Sequence, residues 1–148
     1  MIHLRPTRPC RFACVGLFVL ISPAGCGHDP DLPPTARVSG TVTLDGAPLH
    51  RGTVQFVPDQ SKGTNGPSGV GKIDEKGHYE IRTAGERGAM VGSHVVGVVA
   101  EEEIDLNVTS FAPSLIPRRY NDPLTSELTA QVKADEDNQV DLKLTSQP

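Results

Sequence analysis

Seven short stretches of the chain alternate apolar and polar residues with a period of two, and none carries the repeat of a helix. Val38, Gly40, Val42 and Leu44 alternate with Ser39, Thr41 and Thr43, which gives one buried face. Further strands are expected at 53–57, 70–73, 78–82, 93–100, 127–133 and 139–145. Asp45-Gly46, the loop 59–69 and Asp74-Glu75-Lys76-Gly77 supply turns between them, and the last of these predicts a hairpin joining 70–73 to 78–82. Val95, Val96, Val98 and Val99 form the most continuous apolar run, which suits an interior strand. Short strands with frequent Gly, Pro and Asp turns predict an all-β domain over 37–146, built as a two-sheet β-sandwich.

That domain has to fold on its core alone. Cys10, Cys14 and Cys26 are the only cysteines, so no disulfide joins residues beyond Cys26. The aromatic residues after Cys26 are Phe56, Tyr79, Phe111 and Tyr120, which leaves a core mostly of Val and Leu. Past Cys26 the chain carries 11 Lys and Arg against 18 Asp and Glu, a net charge of −7 with histidine neutral. An acidic domain without a basic stripe argues against nucleic-acid partners, whose phosphates dominate binding. It is also repelled by anionic lipid surfaces.

The residues carry a family resemblance. The run Val38-Ser39-Gly40-Thr41-Val42-Thr43-Leu44-Asp45-Gly46-Ala47-Pro48-Leu49 resembles the opening strand and turn of carboxypeptidase regulatory-like domains. Gly52-Thr53-Val54-Gln55-Phe56-Val57-Pro58 and Asp74-Glu75-Lys76-Gly77-His78-Tyr79-Glu80-Ile81 are similar to later parts of that pattern. Ile116-Pro117-Arg118-Arg119-Tyr120-Asn121-Asp122-Pro123-Leu124-Thr125-Ser126-Glu127-Leu128 is similar to a block in small bacterial lipoproteins of this type. The resemblance implies a seven-stranded transthyretin-like (prealbumin-like) β-sandwich. It implies a location but no reaction. The turn 134–138 departs from the pattern, because it lacks the glycine usual there.

The first residues bear on location. Arg5, Arg8 and Arg11 precede a ten-residue apolar run, 12–21, followed by Ser22-Pro23-Ala24-Gly25-Cys26. A positive start, a short apolar run and small residues are the marks of an export signal. A membrane-spanning helix needs about 20 apolar residues, twice this length. Cys26 after Ala24 and Gly25 resembles the lipobox of bacterial lipoproteins, with Pro23 where Leu is usual. That resemblance implies a signal peptide over 1–25 and lipidation, with a palmitate-type acyl chain, at Cys26. The Pro-rich stretch 26–36 would then act as a tether of roughly 30 Å, at about 3.1 Å per residue.

Candidate chemistry is sparse, and no cofactor is expected. Ser68 in Gly66-Pro67-Ser68-Gly69-Val70 misses the second glycine of a nucleophile elbow. His50, His78 and His94 are far apart in sequence, unlike the closely spaced histidines of metal motifs; His78 and His94 would meet if their strands were neighbours, but each is expected to face solvent or to hydrogen-bond at a strand end. Tyr79 and Tyr120 with those histidines have the residue types of iron-dependent ring-cleaving dioxygenases, but the spacing differs. The Tyr-Arg-Gly-Ser motif of the hydroxyisourate hydrolases, which share the transthyretin fold, is missing from 142–148. Glu101-Glu102-Glu103 with Asp105, and Asp135-Glu136-Asp137 with Asp141, are the oxygen-rich clusters calcium favours, yet they lack the EF-hand spacing and read as solvated loops. Ile116, Tyr120 and Leu124 are expected to fold an irregular loop over the core.

The expected protein is therefore a non-catalytic, membrane-anchored β-sandwich on the extracytoplasmic face of a bacterial membrane. It would bind a protein or another cell-envelope component. The competing expectation is a secreted metal-dependent or hydrolytic enzyme built on His78, His94 and the loop carboxylates. A polymer-forming subunit or a carbohydrate-binding module is a third, the latter weakened by the absence of Trp.

Overall fold

The computed structural model describes residues 33–103 and 112–147, which are all-β. The strands are β1 (Thr35–Ala36), β2 (Val38–Leu44), β3 (Ala47–Pro48), β4 (Gly52–Pro58), β5 (Gly69–Ile73), β6 (His78–Glu80), β7 (Arg82–Thr83), β8 (Glu86–Arg87), β9 (Ala89–Met90), β10 (Gly92–Val99), β11 (Leu128–Val132), β12 (Asn138–Gln139) and β13 (Leu142–Leu144). Two single turns of 3-10 helix, Gln60–Lys62 and Arg118–Asn121, lie between them. All seven expected strands are present within two or three residues of their expected limits, with 78–82 broken at Ile81 and 139–145 broken at Val140. The expected hairpin is there too: Ile73 faces Tyr79, and Val70 faces Arg82.

One continuous curled path runs β11-β10-β4-β5-β6-β2-β12. Every pairing along it is antiparallel except that of β2 with β12, and β13 continues the same parallel pairing. The valine-rich β10 is flanked on both sides, by β4 and β11. Alternation places Val38 and Val42 of β2, Val54 and Phe56 of β4, and Val96 and Val98 of β10 in one buried cluster. The stretch 26–36 expected as a tether is paired at its end. Thr35 and Ala36 pair with Met90 and Ala89, and Ala36 is buried.

The last two strands of the path close it. β11 and β12 stand at its opposite ends yet are joined by only the five residues 133–137. A link that short holds its ends within about 20 Å. Asn138 secures the closure: its side chain accepts from Lys133 N–H at 2.8 Å and donates to the carbonyls of Lys133 and Arg37 at 3.0 and 3.1 Å. Asp135 takes φ 58° in this turn, a left-handed conformation that Asp tolerates better than most residues. It supplies the bend for which glycine was expected.

Between β12 and β13 the chain leaves the ladder for two residues. Val140 N–H donates to Ser39 O at 2.8 Å, and the Val140 carbonyl then turns across the inner face of Gly40. The Tyr79 hydroxyl donates to that carbonyl at 2.6 Å. Asp141 takes over the neighbouring ladder position, accepting from Thr41 N–H at 2.9 Å and Thr41 Oγ1 at 2.8 Å. A Cβ on Gly40 would stand 1.8 Å from the Val140 oxygen. Gly40→Ala is therefore expected to cost about 3 kcal/mol or more in urea unfolding, as severe overpacking does. Gly46→Ala, with φ 84° and open space around it, should cost only about 1 kcal/mol. Equal losses would contradict this reading of Gly40.

Candidate binding pocket and buried histidine

Where β2 ends, the chain turns through β3 and re-enters the sheet at β4. That turn leaves a pocket of about 440 Å³ lined by Leu44, Pro48, Leu49 and Leu115, with Arg51 and Glu103 at its rim. Its volume lies in the range of small-molecule sites, about 300–1,000 Å³. The lining is mainly apolar because Leu49 and Leu115 extend the core outward, while polar groups are confined to the edge. Arg51 pairs with Glu103 at 3.5 Å, and Glu103 is 90% exposed, so water screens the pair and leaves the guanidinium able to exchange partners. His50 is fixed beside them by a 2.8 Å contact of Nδ1 with the Glu75 carbonyl. This arrangement accommodates an apolar group with a polar end. Thr35, the first strand residue among the described residues, lies at the opposite pole, beside the start of β2.

The expected site residues are not brought together. His78 is exposed on β6, whereas His94 is buried on β10, and β4 and β5 lie between those two strands. The idea that the two histidines occupy neighbouring strands is thus corrected. Among the described residues, no group of three or more His, Cys, Asp or Glu side chains stands close enough to hold a metal ion. Asp141 is separated in role from Asp135, Glu136 and Asp137. Its hydrogen bonds from the Thr41 hydroxyl and N–H hold its carboxyl below the usual carboxylate range. Ser68 is half-buried just before β5. Cys26, the signal 1–25, Asp105 and Phe111 lie outside the described residues.

Tyr79 and Tyr120 serve the fold. Burial, and to a smaller extent the Asp141 charge, push the Tyr79 hydroxyl far above its ordinary value. Tyr120 sits on the 118–121 turn, where it accepts from Thr145 N–H at 3.1 Å and from Arg119 Nη2 at 3.0 Å. Desolvation raises Tyr120, but the donors from Thr145 and Arg119 together outweigh it and leave a net lowering. Ile116 and Tyr120 do cap the core, as expected. Leu124 does not, being 82% exposed. Its N–H is drawn to the Asp122 carboxylate at 2.9 Å, and this turn lays Pro123, not Leu124, over Gly97.

His94 is the polar residue that the alternation marks without explaining. It shares its inward parity with Val96 and Val98 and is 1% exposed. Its ring packs 5.7 Å from Phe56, Nδ1 lies 3.2 Å from the Gly92 carbonyl, and Nε2 has no hydrogen-bond partner among the described residues.

Compared with protein-family models, curated proteins and solved structures, the chain matches none.

Burial lowers His94 from its ordinary value of 6.5, more than the Gly92 contact raises it. The unfolded chain thus takes up a proton near 6.5 that the folded chain still refuses. Stability is complete above that pH and is lost as pH falls through it toward the folded value. Urea unfolding from pH 7.5 to about 5 should show a steeper loss for the wild type than for His94→Leu, which keeps the contact with Phe56. Parallel slopes would exclude His94 as the source.

Proposed function

We propose that the protein is an exported, lipid-anchored, non-catalytic binding module on the extracytoplasmic face of a bacterial membrane. Its domain is a carboxypeptidase regulatory-like, seven-stranded transthyretin-like β-sandwich. The observation that carries the reading is the sequence 12–26, an apolar run of ten residues leading through Ala24 and Gly25 to Cys26. The positions of the described elements support it. Eight residues, 27–34, lie between Cys26 and Thr35, and the nine steps they make are enough for about 28 Å of extended tether. The pole bearing Thr35 would then face the membrane. β2 spans about 20 Å at 3.3 Å per residue, so the pocket at its far end would face away, toward a cell-envelope partner. Strand at each of the seven stretches that alternation marks, in an all-β domain, supports the fold part of the proposal.

A module of this kind needs its buried polar side chains for the fold and not for a reaction. The buried side chains of Ser126, Thr64, Asn138 and Thr83 each bond to a backbone group. The partner is read from the pocket: a protein or envelope component presenting an apolar group with an anionic end, which Arg51 would meet. Metabolic labelling of the full chain with an alkyne fatty acid should tag the wild type and leave Cys26→Ser unlabelled. Equal labelling of the two proteins would defeat the anchoring proposal.

A further inference from the structure

Among the described residues β11 is an edge strand, and its hydrogen-bonding parity can be read from three directions. Ser93 O accepts from Asp59 N–H, and Ser93 N–H donates to Thr64 Oγ1, so residue 93 of β10 faces the β4 side. Residues 92, 94 and 96 therefore face β11, where they oppose Val132, Ala130 and Leu128. The Leu128 N–H accordingly points toward β10, where it donates to the Ser126 hydroxyl, which in turn donates to Val96 O. Lys133 N–H and C=O point the other way, and both are taken by the Asn138 side chain. The N–H and C=O groups of Thr129 and Gln131 must then face outward, and among the described residues nothing pairs with them.

Edge strands are usually blunted by a charge, a proline or a cover. Leu128-Thr129-Ala130-Gln131-Val132 has neither charge nor proline. The flanking residues limit its length without covering it. Glu127 leaves the extended region at φ 59°, and Asn138 occupies Lys133. Those same flanks are self-complementary. If two copies pair antiparallel about Ala130, Thr129 meets Gln131 of the other copy, and Glu127 comes opposite Lys133. The ion pair of Lys133 with Glu136 in its own chain is exposed on both sides at 3.6 Å, so Lys133 can exchange partners. Opposite charges across an antiparallel pair attract, and a two-fold arrangement uses the pair twice.

We propose that β11 is a homotypic pairing edge. A second copy of this chain adds its β11 antiparallel, in the register Thr129 to Gln131, through four main-chain hydrogen bonds. The contact is smaller than the roughly 1,000 Å² that a stable solution dimer buries, so it is a weak contact that forms where copies are concentrated.

Covalent trapping accumulates even a weak pair, and the test does not depend on anchoring. Hydrogen-bonded partners have Cα atoms about 5.5 Å apart, within disulfide reach. The full chain carrying both Thr129→Cys and Gln131→Cys, oxidised and run on a non-reducing gel, should give about ten-fold more dimer than either single variant or the wild type. The wild type sets the background from Cys10, Cys14 and Cys26. Both positions are exposed, and wild-type protease resistance of each variant would establish folding. Equal dimer from the singles and the double, or none from the folded double, would overturn the proposal. So would cross-linking only to chains of other masses, which would make the edge a site for a foreign strand.

Discussion

The Val140 carbonyl lies flat across Gly40, and Tyr79 reaches over from the neighbouring strand to donate to it. Tyr79 is the register partner of Gly40 on β6, so the ring fills the space left by the missing side chain while its hydroxyl satisfies the carbonyl. That carbonyl is partly buried, and a fully buried group left unpaired would cost about 1–3 kcal/mol. The contact permits β12 and β13 to run parallel along β2 with a two-residue interruption between them. Without it the final strand would have no route to the inner face, where Leu142 and Leu144 enter the core. Phe56 packs 6.3 Å from the same tyrosine ring and ties this seam to the middle of the sheet.

Elsewhere the sheet repeats one device. Where a strand is interrupted, a polar side chain occupies the position of the absent backbone. Asp141 replaces a carbonyl for Thr41 N–H, Thr64 does so for Ser93 N–H, and Ser126 is inserted between Leu128 N–H and Val96 O. Asn138 takes both the donor and the acceptor of Lys133. Buried backbone groups need partners, and a sheet cut into short strands has many ends to satisfy. This accounts for the burial of Ser126 and Asn138.

The seven main strands were legible because period-two alternation and burial on one face are the same fact seen in sequence and in structure. The burial of His94 was not read, because its type argued for the surface, although it falls on the parity of Val96 and Val98. β1 and β9 were not legible. Two-residue strands carry no period, and Pro33 and Pro34 made the approach to Thr35 look like a linker. Leu124 was misjudged because hydrophobicity does not reveal which way a turn faces. There the Asp122 carboxylate sets the direction, and Pro123 covers the sheet. The pocket was hidden for another reason. It is lined by residues from four separate parts of the chain, and only the sheet order brings Leu44 and Leu49 near Glu103 and Leu115.

The repaired ladder also gives meaning to the places where repair stops. At the end of β13, Arg119 donates to Thr145 O at 2.7 Å and Tyr120 accepts from Thr145 N–H, so the chain leaving that edge is held by side chains. On β11 the substitution ends abruptly. Lys133 is fully satisfied by Asn138, whereas Thr129 and Gln131, four and two residues earlier on the same edge, have no substitute among the described residues. The segment 133–137 that follows β11 does not cap them, because with its left-handed turn at Asp135 it lies beside Thr35, Ala36 and Arg37. The geometry that closes the curled sheet therefore leaves one short run of backbone open. Closure at Asn138 and exposure at Thr129 and Gln131 follow from the same turn.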